Sequence, residues 1–464
     1  MSSLTDLQNQ PATQLKLFET SEPLSGFSSS SDNGGLYFDD PSFASNKARP
    51  VHRWIPWIAG FSSGFVEDVL TRYLASQGIV LDPFAGVGTT LVEAILHGHD
   101  AIGFEINPYA ALACRIKTNA HRIDVERLYA EMSRFQTFYY EKAAVHDTPH
   151  SVPPQGFKTR SAFFSPEVLR KVLILQDFID TVLDVDLRDL FRLAFASTMI
   201  RYSNYSYEPS LGRRISAGKS EIQDFPVGQA VLDKVSEMAR DIAWFQQRLT
   251  DRPPNVRVIG ESFFNYKSYL APESIDLIIT SPPYLNNYHY NRNTRPQLYW
   301  LGYARDPRDL KPLELSNFGK YWQTVREQDT VALEFSLPTT DLADQLQALR
   351  KIKPERGIYG GSGWANYAAS YFNDCYRFAQ GVQYTLKPGG VALIVIGNSI
   401  LQGISIPTDR YLGKIAESVG LELVRIDVPR TARVGNSIIQ SEVRVVKAKG
   451  SDQLYEAIVE LRKR

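Results

Sequence analysis

The chain has 464 residues, 43% hydrophobic and 22% charged, which is ordinary globular composition with length for a large core. Lys+Arg and Asp+Glu both number 51, so a protein basic throughout is excluded, while a local basic groove inside a neutral chain is not. Two cysteines, Cys114 and Cys375, exclude a disulfide framework and a conventional zinc site, and no apolar run or basic-then-apolar leader points to a membrane; these features predict a soluble protein of a reducing cytoplasm.

Residues 1–45 are rich in Ser, Asp, Gly and Pro and predict a disordered tail, interrupted by one apolar cluster, Gln14-Leu15-Lys16-Leu17-Phe18. Order is predicted from near Arg49, with a loop carrying Trp54, Trp57 and Phe61 into the core and then a helix from about Gly64. A lesser alternative has the stretch GFSSGF, residues 60–65, lining a ligand. Strand Ile79–Asp82, a glycine turn, helix Thr90–His97, strand Ala101–Glu105 and helix Tyr109–Lys117 follow, an alternation that indicates a parallel sheet covered by helices. Residues 121–250 are helical in pattern and poor in strands, which predicts an inserted helical subdomain. It separates a first catalytic part, 46–120, from a second, 251–464. Strands return at Val256–Ser262 and Ile275–Ile279, and a second, irregular insertion spans about 285–363. The remaining chain reads as a helix, the turn KPGG, the strand VALIVIG, a helix over Asp409–Ser418, and two strands, LELVRIDV and EVRVVKA. No helix separates the last two, so they should pair antiparallel.

DPFAGVGTT, Asp82 to Thr90, sits at the first strand-to-helix turn. Gly86 and Gly88 remove side chains where a backbone must approach a ligand closely, and Glu105 ends the next strand, placed for two ribose hydroxyls. Position 91 is Leu, so the third glycine of a dinucleotide fingerprint is missing, and Asp82 is an anion where phosphates would lie. A cationic, phosphate-free nucleoside fits better: S-adenosylmethionine. The apolar run Ile275–Ile279 then ends in Thr280-Ser281-Pro282-Pro283-Tyr284. An exocyclic amine of a nucleobase is a poor nucleophile, and two acceptors on its hydrogens turn its lone pair towards a methyl group. The Ser281 hydroxyl and the Pro282 carbonyl can be those acceptors, with prolines fixing the carbonyl direction. Tyr284 offers a face for a base extruded from a duplex.

DPFAGVGTT, FEIN and TSPPY together resemble the amino-methyltransferases of DNA, which modify the N4 amine of cytosine or the N6 amine of adenine. The strand LKPGGVALIVIG is similar as well. The resemblance implies a Rossmann-like α/β methyltransferase sheet of seven strands with an antiparallel last strand. It implies donor-site residues Asp82, Pro83, Phe84, Ala85, Gly86, Gly88, Thr89, Thr90, Glu105, Ile106 and Asn107, with Glu261 and Ser262 near the donor's adenine, and a catalytic loop of Ser281, Pro282, Pro283 and Tyr284. Serine as the first loop residue resembles the cytosine-N4 enzymes, and the helical insertion stands where target recognition is expected. Neither cysteine follows a proline, which excludes 5-methylcytosine chemistry. An adenine-N6 enzyme, an RNA base methyltransferase and a binding module that lacks turnover are the alternatives. A nicotinamide oxidoreductase fails on the missing glycine.

Arg213, Arg214 and Lys219 in SLGRRISAGK, and Tyr288, Arg292 and Arg295 in NNYHYNRNTR, are the candidate contacts to double-stranded DNA. Gln14, Leu15, Leu17 and Phe18 resemble the peptide by which bacterial replication and repair proteins bind the sliding clamp, which implies a nucleoid-associated enzyme.

Overall fold

A computed structural model describes residues 38, 43–57, 60–145, 148–207, 211–249, 253–285, 290–433 and 453–464. The clamp-like cluster Gln14–Phe18, Tyr288 and the strand expected over 442–448 lie outside the described residues. The sheet has seven strands: β1 Ile79–Asp82, β2 Asp100–Phe104, β3 Val256–Ile259, β4 Ile275–Thr280, β5 Leu386–Gly397, β6 Leu421–Arg433 and β7 Gln453–Lys463, in the order β6-β7-β5-β4-β1-β2-β3. β1 pairs in parallel with β2 and β4, β2 with β3, and β4 with β5, while β7 runs antiparallel to both β5 and β6. This is the Rossmann-like sheet with its antiparallel strand.

β6 finds its antiparallel partner further along the chain than the sequence pattern places it. β7 reads as charged, with Glu456, Glu460 and Lys463, yet Ala457, Ile458, Val459 and Leu461 are buried and Glu460 is paired with Arg425 at 2.8 Å. The strand is paired along both edges, and consecutive residues 457–461 are buried, so both its faces are covered, which its charged residues conceal in the sequence.

Helix α1, Ser63–Tyr73, begins where Ser62 accepts from the Phe65 backbone N. The turn into α2, Thr89–Leu96, passes through Gly86 and Gly88, at φ +51° and +86°, which a side chain disfavours. Asn107 caps α3, Pro108–Thr118, by accepting from the Tyr109 and Ala110 backbone N–H groups. The stretch between β2 and β3 then adds α4 Val125–Ala144, α5 Pro166–Thr181, α6 Val185–Thr198 and α7 Val227–Gln246, with a short hairpin, Tyr205–Tyr207 against Leu211–Arg213. Its apolar core is continuous with that of α2 and α3. The N-terminal arm is fastened to it at Asp241 on α7, which accepts from the Val51 backbone N (2.8 Å) and Trp54 Nε1 (2.9 Å) and pairs with Arg53.

Structure starts earlier than the expected boundary at residue 46. Phe38 is 2% exposed, packs edge-on against Phe65, and donates its backbone N–H to Asp427. Between 290 and 360 the second insertion forms short helices, whose Phe318, Val325, Leu346 and Leu349 pack with a long helix, α8, Gly361–Thr385. Helix α9, Thr408–Ser418, completes that layer. Among the described residues no helix is long and apolar enough to cross a membrane, and no His/Cys/Asp/Glu cluster could hold a metal ion.

Candidate active site

One pocket opens at the ends of β1, β2, β3 and β4. Pro83, Phe84 and Gly86 of the glycine turn, Glu105, Ile106 and Asn107 after β2, Glu261 and Ser262 after β3, and Ser281 and Pro283 after β4 all line it. Segments from four separate parts of the chain therefore converge. Gly86 donates its backbone N–H to Glu105 (2.9 Å), and Asn107 donates its own to the other Glu105 oxygen (2.7 Å). Burial nonetheless pushes the Glu105 carboxyl up to about 7, against the pull of those two N–H groups. A Cβ on Gly86 would lie 3.3 Å from Trp57 Nε1, so the missing side chain lets the indole pack closely against the turn.

Several expected residues stand behind this wall. Asp82 is 1% exposed: one oxygen accepts from Thr280 Oγ1 (2.7 Å) and the Phe84 backbone N (3.0 Å), the other from Thr90 Oγ1 (2.7 Å). It is a clamp that joins the ends of β1 and β4 to α2, and not a carboxylate facing a ligand. Its pKa is pushed up to about 6 by burial, against those three hydrogen bonds. Thr89 and Thr90 are buried likewise. Ala85 fills the space left by Gly103, and a Cβ on Gly88 would meet Cys114 Sγ at 2.8 Å. These residues pack the turn; they do not line the pocket.

The pocket also takes Phe104, from FEIN, and residues that no sequence motif marks: Phe263, Asn291, Ser316, Asn317 and Phe318. Trp57, expected in the core, is half-buried in the wall and meets Tyr109 at 6.5 Å. Phe318 packs edge-on against Phe84, with ring centroids 5.2 Å apart, so the second insertion closes one side.

The loop after β4 is held from behind by α8. Tyr371 donates to the Pro283 carbonyl (3.0 Å), and the Tyr367 hydroxyl donates to the Leu285 carbonyl. Tyr284 donates to Glu456 on β7 (3.0 Å), and its ring fills the space over Gly397, where a Cβ would come within 2.8 Å. Ser281 lines the pocket, while Pro282 is buried behind it.

The basic candidates divide. Arg213 lies on the short hairpin, which is tied to the segment beyond the catalytic loop: Tyr207 donates to the Asn293 carbonyl (2.8 Å) and the Leu211 backbone N to Asn293 Oδ1 (3.3 Å). Arg292 is exposed on that same segment, and Lys219 is exposed past the hairpin. Arg214 donates to the Ser220 carbonyl. Arg295 lies over the rings of Phe157 and Tyr299, a packing role that a side chain reserved for phosphate does not share.

A family model described as "DNA methylase", for N6 and N4 methyltransferases, matches residues 39–114, the span that carries the glycine turn and Glu105. The chain is 26% identical over 426 residues to the type II methyltransferase M.BsoBI of Geobacillus stearothermophilus, covering 85% of this chain and 83% of that one. It is 23% identical to M.AvaI of a Nostoc strain, covering 85% and 84%, and 24% identical to M.MvaI of Kocuria varians, covering 72% and 73%. Over most of its length the chain is similar to type II DNA methyltransferases. As a methyltransferase it takes S-adenosylmethionine as methyl donor. The pocket suits that molecule, with an acceptor carboxylate for a ribose, a side-chain-free turn, aromatic walls and no cluster of cations for phosphates.

Proposed function

We propose that this methyltransferase modifies the exocyclic N4 amine of cytosine in double-stranded DNA. One observation carries the reading: Ser281 and Pro283 of the catalytic loop line the same pocket as Gly86, Glu105 and Glu261. An amine held at the loop therefore meets a donor held at the glycine turn. The donor, when bound, supplies an electrophilic methyl on a sulfonium. Glu105 accepts from the ribose hydroxyls, and Glu261 and Ser262 border the adenine. Ser281 Oγ accepts from one amine hydrogen. The second amine hydrogen is assigned to the Pro282 carbonyl, whose direction the proline ring presets, while the Pro283 carbonyl accepts from Tyr371. Both acceptors are fixed before the base arrives, so the lone pair is aimed with no reorganisation. Tyr284, braced by Glu456 and Gly397, offers its remaining face for stacking of a flipped base. Arg213, Lys219 and Arg292 contact backbone phosphates, and the helical insertion reads the target.

Serine at position 281, as in cytosine-N4 enzymes, supports that amine over adenine N6. Nucleoside mass spectrometry on DNA incubated with the purified enzyme and S-adenosylmethionine tests this; N4-methylcytosine is expected. N6-methyladenine alone overturns the choice of base. Clamp binding by Gln14–Phe18 is a further expectation, checked by capture of purified sliding clamp on the immobilised tail peptide. A clamp that ignores the peptide ends it.

A further inference from the structure

Asn291 stands on the segment that follows the catalytic loop, and its side chain is 3% exposed. Its orientation can be deduced from its neighbours. Asn107 Oδ1 must face the start of α3, because it accepts from the Tyr109 and Ala110 backbone N–H groups. The Asn107 amide nitrogen therefore points away from α3, donating to Thr294 Oγ1 at 2.8 Å and, more weakly, to Asn291 Oδ1 at 3.4 Å. With its oxygen thus engaged, Asn291 turns its own Nδ2 elsewhere. Among the described residues that buried nitrogen has no hydrogen-bond partner. Asn291 also lines the pocket. A buried, unsatisfied amide donor is costly, so it calls for an acceptor that is absent until a ligand arrives.

We infer that Asn291 is a donor-binding residue whose Nδ2 donates to a ribose hydroxyl oxygen of S-adenosylmethionine; this rests on the pocket's being the donor site. The chemistry is complementary. Glu105 is an acceptor only, so it takes the protons of the ribose diol and leaves the hydroxyl oxygens needing donors. Asn107 places the two side chains side by side, since its backbone N–H holds Glu105 and its amide holds Asn291. Donor and catalytic loop thereby share one strip of chain, because Ser281 and Asn291 flank the same short connection.

Calorimetry with S-adenosylhomocysteine and its 2′-deoxy and 3′-deoxy analogues tests the inference. Asn291→Asp is the decisive variant: it retains an oxygen for Asn107 and exchanges the N–H donors for a charged acceptor, and the deoxy analogues separate the lost hydrogen bond from the effect of charge. About tenfold weaker binding of S-adenosylhomocysteine is expected, the worth of one hydrogen bond. One deoxy analogue should bind the wild type at least about tenfold more weakly, because its contact with Glu105 goes as well, with no further loss in the variant. A charge effect of the introduced carboxylate, or a partner at the methionine carboxylate, would weaken both deoxy analogues as much as the parent. That additive result overturns the inference, as does unchanged affinity. Asn291→Ala, with folding checked by urea titration, should match Asn291→Asp; a discrepancy of tenfold in either direction also overturns it. Wild-type enzyme that fails to bind S-adenosylhomocysteine at all removes the underlying reading of the pocket as well.

Discussion

At the scale of single residues, Asp82 and Glu105 show how similar carboxylates part company. Both are pushed up by burial, to about 6 and about 7. Asp82 is satisfied by protein alone, whereas Glu105 borders the pocket. Asp82→Ala should therefore destabilise the fold by about 1–3 kcal/mol, because Thr90, Thr280 and the Phe84 N–H are left without their acceptor. Urea unfolding measures this; an unchanged midpoint would remove the clamp. Glu105 makes a different prediction. A carboxyl raised in the folded state holds its proton more tightly there than in the unfolded chain, so its contribution to the stability of the donor-free protein falls as pH climbs from about 4.5 to about 7 and is level above. Ribose hydroxyls are best accepted by the ionised form. Donor affinity should then rise with pH up to about 7 and flatten beyond, and Glu105→Gln should erase the slope in calorimetry at pH 6, 7 and 8. Ser281→Ala should keep donor affinity while turnover falls about 10²–10³-fold, the usual worth of one preorganised partner in a transition state. The sequence marked Asp82 as an acid at the right turn, but a strand end does not disclose whether its carboxylate faces a ligand or two threonines. Asn291 and Trp57 were equally hidden, since an asparagine among asparagines and a tryptophan beside prolines carry no periodic signal.

Elements were more legible than the contacts between them. β1 coincides with its expected span, and α2, α3, α9 and β2 differ from theirs by a residue or so at each end, because apolar runs closed by capping residues leave little freedom. α8 was legible as a helix but not as a brace. Its tyrosines at 367 and 371 are four residues apart, hence on one face, and both hydroxyls reach carbonyls of the catalytic loop. Tyr367→Phe together with Tyr371→Phe should lower kcat by about tenfold while donor affinity stays within twofold. The missing hydroxyls slacken the acceptor geometry and leave the donor wall alone. Single-turnover assays beside calorimetry would separate the two, and equal reductions in both would mean that α8 merely supports the fold. The second insertion was unreadable in advance for a physical reason: its helices are short and take their order from packing on α8, not from a pattern of their own.

On the scale of the whole molecule, a net charge of zero hides an uneven arrangement. The Arg213 hairpin and the Arg292 segment, distant in sequence, are joined through Asn293 beside the loop. Arg213→Glu should weaken DNA binding and reduce the slope of log affinity against log salt by about one for each phosphate no longer neutralised, with donor affinity unchanged. A filter-binding series across salt concentrations checks it, and an unaltered slope would move the DNA elsewhere on the surface. Sequence order foretold the sheet well, since alternating strands and helices admit few parallel arrangements. It misplaced only the strand that threads between two earlier ones.

That threading has a consequence for how the enzyme is made. Because β7 lies between β5 and β6, a nascent chain emerging from the ribosome completes both flanking strands before the one that joins them exists. Until residues 453–463 emerge, the apolar flank of β5 lacks its neighbour and Tyr284 lacks Glu456. Vectorial synthesis thus leaves an open slot in the sheet, with bare backbone edges of the kind that recruit foreign strands. Tyr284 gains its brace only when the slot is filled, and slowing translation over β6 should shift newly made enzyme from the soluble to the aggregated fraction without altering the specific activity of what remains soluble.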